Sequence, residues 1–303
     1  MTAKSTLPTI AFLGIGLMGK PMATRLLQAG YSLSAWNRTR AKAEPLAALG
    51  ADLADDLVAG VKSADIIITM LEAGPVVRAV LEAAAPAMRP GSLVIDMSST
   101  RQSEAHEFHA LLQALGISFV DAPVSGGVMG AEAGTLAIMA GGSADDFARA
   151  EPVLRVLGRP TLVGPAGSGQ IAKLCNQLIV GGTLCIVAEA LLLAQAGGAD
   201  PAAVRTALRG GFAESRILEV HGQRMLDRNF LPGGQVKSQA KDLENVLAAA
   251  TASGIALPVT ELVTQHYRSI LEAVPHADQS AALLALERLN PGKRVGEAPD
   301  QLP

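Results

Sequence analysis

The stretch FLGIGLMGKPMATRLLQAG, residues 12–30, admits few folds. An apolar run ends at Gly14, Gly16 and Gly19, and an amphipathic segment opens directly behind them. In a GxGxxG pattern set between a strand and a helix, the first glycine permits a tight turn and the second lets backbone approach a pyrophosphate. The third lets helix and strand pack closely, and the helix N-terminus holds the negative charge. Gly14, Gly16 and Gly19, with Leu17 and Met18 between them, are therefore candidate cofactor contacts, and a dinucleotide is the expected ligand.

The rest of the first half agrees with that turn. Short β-rich runs alternate with stretches of helical spacing, the pattern of a parallel sheet wrapped by helices. Strands are expected at 9–14, 31–36, 64–71, 91–99, 117–123, 135–142 and 161–164, and helices at 17–29, 40–48, 75–85, 101–115 and 144–157. The fold class is α/β: an N-terminal Rossmann doubly wound domain over 1–165. After Gly169 no convincing strand follows, and Asp200 before Pro201 has the form of an N-cap with proline at the first helical position. Further helices fit 214–226, 239–253, 258–273 and 279–289, so an all-α C-terminal domain is expected over 166–290, joined to the first by a long apolar helix. Residues 291–303 are rich in proline, glycine and charge without periodicity, and read as a mobile tail.

Composition narrows the classes of partner. With 49% hydrophobic but only 3% aromatic residues, the core must be aliphatic. A formal net charge of −3 without a basic cluster argues against nucleic acid. The two cysteines, Cys175 and Cys185, would lie about 15 Å apart on one helix, beyond disulfide reach. Free thiols, and an N-terminus without an apolar signal core, point to a cytoplasmic protein. The run 178–196 is long enough to span a bilayer, but it holds Glu189 and follows the polar Lys173, Asn176 and Gln177. A helix buried by protein, with no membrane, is the better account. One small helical domain does not cover so apolar a helix on every face, which implies a homodimer or homotetramer. No metal site is expected.

Four places carry candidate chemistry. At the end of the second strand, Asn37 stands where an acidic residue would grip the ribose of NAD, and Arg38, Thr39 and Arg40 follow. A neutral amide beside a guanidinium suits a 2′-phosphate, so NADP is preferred over NAD; the alternative is that the arginines begin a solvated helix. Ser125, Gly126 and Gly127 offer a hydroxyl and closely spaced N–H groups suited to a carboxylate, although such loops are also ordinary turns. Reduction of a carbonyl needs a proton for the developing alkoxide, and Lys173 near apolar walls would have a lowered pKa useful for that task. Asn176, three residues on, shares its helix face and could orient substrate or ammonium. The competing reading has Lys173 reaching to solvent at the head of the helix.

Taken in order, FLGIGLMGKPMA, NRT, DMSS, DAPVSGG, GSGQIAKLCNQ and KDLENVL resemble the β-hydroxyacid dehydrogenases over about residues 9–290. AGYSL, IITML, RGG, MLDRNFLPG, ALPVT and DQSA are similar to the branch of that family acting on short semialdehydes. The resemblance implies an NAD(P)-dependent oxidoreductase of a small hydroxy acid or its semialdehyde, with Lys173 as general acid and base. It implies substrate contacts from Ser125, Gly126, Gly127 and Asn176, a nicotinamide site lined by Met70, Leu71 and Ser99, and Lys241 reaching over from the helical domain. Two departures stand out: Glu72 replaces a usual proline, and PGGQVKSQAKDL is more polar than the family's segment before that lysine.

Overall fold

The computed structural model describes residues 7–303. Its nine strands are β1 (Ile10–Leu13), β2 (Leu33–Trp36), β3 (Asp52–Leu53), β4 (Ile66–Thr69), β5 (Leu93–Asp96), β6 (Ser118–Asp121), β7 (Val124–Ser125), β8 (Leu136–Gly141) and β9 (Gly158–Gly164). They form one sheet in the order β3-β2-β1-β4-β5-β6-β8-β7, with β9 beside β8. The six strands from β3 to β6 run parallel, and β8 turns antiparallel to β6.

The sheet is buried on both faces because its central strands are apolar in runs, IAFL in β1 and III in β4, with polar residues such as Thr69, Asp96 and Asp121 at their carboxyl ends. Alternate residues of one strand enter different cores: Ile66 and Ile68 pack on one face, and Ile67 on the other. Ile10 and Phe12 likewise oppose Ala11 and Leu13. A near-continuous apolar run, not an alternating one, is what a doubly covered parallel sheet requires. The first face is covered by α1 (Gly19–Gln28), α2 (Glu44–Ala47), α6 (Gly127–Ala133) and α7 (Ala144–Leu157), which supply Met22, Leu26, Leu46, Ala131, Val153 and Leu157. The second is covered by α3 (Leu57–Val61), α4 (Gly74–Ala84) and α5 (Gln102–Gln113), through Val61, Val77, Leu81, Phe108 and Leu112.

The chain divides into two compact units between Lys173 and Leu174. That boundary falls inside α8 (Ser168–Ala196), whereas the sequence placed it at 165/166, before the helix. The second unit adds α9 (Pro201–Leu208), α10 (Arg216–Leu226), α11 (Val236–Ala252), α12 (Pro258–Leu271) and α13 (Ala282–Leu289). The Asp200 side chain does accept from the Ala202 N–H, as an N-cap should. Leu184, Ala188 and Leu191 of α8 are buried with Leu218, Leu243, Tyr267 and Leu283 in one core. Among the described residues α8 is the helix whose length and mean hydropathy, 2.0, would allow a membrane crossing. Here one side of it is the centre of a helical core.

The tail expected to be mobile is instead tied down. Arg228, buried and held at a φ of +54°, forks both guanidinium nitrogens onto Glu287 at 2.6 and 2.9 Å. It also binds Asp300 at 2.8 Å. Gln301 exchanges backbone bonds with Arg228 and Phe230, and Val295 is fully buried. Low-complexity composition set the wrong expectation because the partners of the tail lie some 70 residues upstream.

Candidate active site

The turn after β1 explains two of its three glycines by packing and leaves one unexplained. Gly14 sits at a φ of +110°, a conformation that disfavours side chains, and a Cβ there would collide with the Met70 carbonyl and the Leu71 side chain. A Cβ on Gly19 would strike the Gly14 carbonyl. At Gly16 a Cβ would meet nothing within 4 Å, so protein packing gives no reason for glycine there. That opening fits the close approach of a pyrophosphate. The head of α1 fits it too: no side chain caps its first turn, and no acidic residue stands in it. Leu17, beside the opening, is 79% exposed, while Met18 packs partly into the core.

Asn37 is turned towards this loop. Its Oδ1 accepts from the Ile15 N–H at 3.0 Å, and its Nδ2 donates to the Thr39 carbonyl at 2.8 Å. Arg40 is engaged with Asp55 at 2.8 Å, whereas Arg38 is exposed and has no ion-pair partner among the described residues. One of the two arginines is thus available to an anion.

The carboxyl ends of the parallel strands are stitched to one another. The Met70 N–H donates to the Leu13 carbonyl, Met97 to Thr69, and Ala122 to Asp96. The Leu71 N–H donates to Ser98 Oγ at 2.9 Å, which fixes Met70 and Leu71 against the loop carrying the half-buried Ser99. Beneath that loop Asp96 is fully buried and accepts from Thr69 Oγ1 at 2.7 Å and the Ser98 N–H at 3.1 Å. Its second oxygen has no hydrogen-bond partner among the described residues, and burial pushes its pKa up to about 6.

The next strand over ends in a second buried carboxylate, Asp121. It accepts from the Gly167 N–H at 2.7 Å and the Gln170 N–H at 2.9 Å, so it holds the first turn of α8. Burial raises its pKa, and those N–H groups work against the rise. Gln170 is itself fully buried: it donates to the Ser98 carbonyl at 2.9 Å and accepts from the Thr100 N–H at 3.0 Å. Lys173, half-buried, follows one turn later. Ser125, Gly126 and Gly127 lie just past β6; both glycines have positive φ, and Gly127 faces open space.

The structure therefore gathers Gly14, Gly16, Leu17, Met18, Gly19, Asn37, Met70, Leu71 and Ser99 along one edge of the sheet. Asn176 and Lys241 belong to the second unit and share one polar network there. Asn176 Nδ2 donates to Gln177 Oε1 at 2.8 Å, Gln177 donates to Asp242 at 2.6 Å, and Lys241 pairs with Asp242 at 3.3 Å. The sequence singled out neither Asp96, Asp121, Gln170 nor Asp242 for a role, although DMSS, DAPV, GQIAK and KDL contain them all. Aspartate at the ends of two adjacent strands was the available signal.

Residues 9–172 match the family described as the NAD binding domain of 6-phosphogluconate dehydrogenase. Residues 167–286 match the NAD-binding domain of NADP-dependent 3-hydroxyisobutyrate dehydrogenase. The chain is 41% identical over 283 residues to 2-hydroxy-3-oxopropionate reductase of Escherichia coli strain K12, covering 92% of this chain and 97% of that protein. It is 36% identical over 287 residues to a probable mitochondrial 3-hydroxyisobutyrate dehydrogenase-like protein of Arabidopsis thaliana, covering 93% and 86%. Among solved structures, Mycobacterium tuberculosis 3-hydroxyisobutyrate dehydrogenase with L-serine superposes with a TM-score of 0.85 at 32% identity, covering 92% and 99%.

Proposed function

Since the chain belongs to the β-hydroxyacid dehydrogenase family and is an NAD(P)-dependent oxidoreductase of a small molecule, we propose that it is a tartronate semialdehyde reductase, 2-hydroxy-3-oxopropionate being its substrate. The observation that carries this reading is the 41% identity, over nearly the whole of both chains, to the reductase of that name.

When bound, the reduced nicotinamide supplies the hydride to the aldehyde carbon. Ser125 Oγ and the backbone N–H groups of Gly126 and Gly127 hold the substrate carboxylate, and Asn176 orients the hydroxyl end. The Lys173 ammonium donates its proton to the aldehyde oxygen, so that the product leaves as an alcohol and the lysine regains a proton from water. NADP is the preferred form, on the strength of Asn37 in place of an acid and of Arg38 beside it, which has no ion-pair partner among the described residues. A panel of NADPH oxidation assays with tartronate, methylmalonate and succinic semialdehydes and glyoxylate tests the substrate. The reading requires kcat/KM to be highest for tartronate semialdehyde by ~10-fold or more, the least that differential binding of one substrate group supplies. A preference for methylmalonate semialdehyde would make the protein a 3-hydroxyisobutyrate dehydrogenase instead.

The homo-oligomer is proposed on the outer face of α8, where Ile179, Ile186 and Leu193 recur every seven residues at 61%, 62% and 74% exposure. Sedimentation of a monomer at micromolar concentration would contradict it. A cytoplasmic setting is proposed on the two free cysteines.

A further inference from the structure

We propose that Gln170 is the positioning residue of the reaction: it fixes the proton donor Lys173 to the loop that carries the nicotinamide-side residues. The proposal rests on the reading of Lys173 as general acid. Gln170 is a fully buried amide with both ends engaged, its Nε2 on the Ser98 carbonyl and its Oε1 under the Thr100 N–H. Those two bonds bracket Ser99 and define the turn on which it sits. Ser98 passes the constraint on, because its Oγ accepts from the Leu71 N–H.

On the helix side Gln170 is fixed by its own backbone. Its N–H is held by Asp121, which also holds Gly167, so the first turn of α8 has no freedom to slide along the sheet edge. The fit is close enough that a Cβ at Gly169 would run into the backbone of Met139 and Asp121. Lys173 lies at i+3 from Gln170, on the same face of α8 and one turn away. Ser98, Thr100, Gln170 and Lys173 thus form one short mechanical path. A buried amide of this kind is costly to leave unsatisfied, so the path has one low-energy geometry.

A misplacement of about 1 Å between a donor and a reacting centre can cost on the order of 100-fold in rate. Gln170→Met keeps the length and volume of the side chain and removes both bonds. In single-turnover NADPH oxidation we expect it to lower the rate by ~10-fold or more, with the Kd for NADPH changing by less than ~3-fold. The decisive comparison repeats the substitution in the Lys173→Ala background. If Gln170 acts through the lysine, the residual rate falls by less than ~2-fold there. An equal loss in both backgrounds, or none in the first, overturns the proposal. A Lys173→Ala enzyme of near-normal rate overturns the general-acid reading itself, which is a separate result. Should Gln170→Met fail to fold, Gln170→Asn, which keeps the amide but withdraws it from Ser98 and Thr100, goes through the same cycle with the same criteria.

Discussion

Asp96 makes unit 1 less stable as the solution is made less acidic, and the effect is large enough to measure. Its carboxyl is fully buried, two hydrogen bonds reach one oxygen, and the other has none among the described residues. Desolvation outweighs those bonds and lifts the pKa from 3.8 to about 6. A native pKa above the unfolded one means that the native state binds more protons between the two values, so stability is full below pH 4 and is lost as pH rises towards 6 and beyond. That gap of roughly two pH units, at ~1.4 kcal/mol each, amounts to about 3 kcal/mol. Asn at this position does not titrate. The difference in unfolding free energy between Asp96→Asn and the parent should therefore grow by about 3 kcal/mol, in favour of the variant, between pH 4 and pH 7. Trp36 is the sole tryptophan and lies on β2, so urea unfolding followed by its fluorescence reports on unit 1. Stability curves for the two proteins that stay parallel across this range would mean that Asp96 is ionised in the native state as it is in the unfolded one.

The other substitutions separate packing from binding. Gly16→Ala should leave the unfolding free energy within about 0.5 kcal/mol, the scatter of a surface change, yet raise the Kd for NADPH by ~10-fold or more, as its Cβ meets only the space a pyrophosphate would need; titration by cofactor fluorescence checks it. Arg38→Ala should cut kcat/KM for NADPH by ~10-fold or more while sparing NADH, the usual worth of a charge-assisted hydrogen bond. An equal loss with both cofactors would contradict the assignment of Arg38. Arg228→Met takes the guanidinium from the nearly buried Glu287, while Asp300 keeps Arg294, and should destabilise unit 2 by about 3 kcal/mol, seen as a lower urea midpoint.

What the sequence made legible was whatever local pattern could encode. The β-branched run Ile66–Ile68 of β4, apolar at three successive positions, read as a strand of a sheet wrapped by helices, and Asp200 ahead of Pro201 marked the start of α9 to the residue. The two-residue strands β3 and β7 escaped notice because their hydrogen-bonded neighbours, not any periodicity, make them strands. The tail was misread for the same reason, since its order comes from Arg228 and Glu287. In the site, GxGxxG announced itself by spacing, whereas Asp121 and Gln170 act on backbone groups 46 to 72 residues away. No window along the chain shows that pairing.

Whether the ammonium at the head of α8 protonates the substrate is read in single-turnover kinetics of Lys173→Ala with saturating NADPH and tartronate semialdehyde. Loss of a general acid is worth ~10² or more in the rate of the chemical step, with cofactor affinity left nearly intact. Lys173→Ala should show that loss; a rate within a few-fold of the parent's would mean that another group delivers the proton.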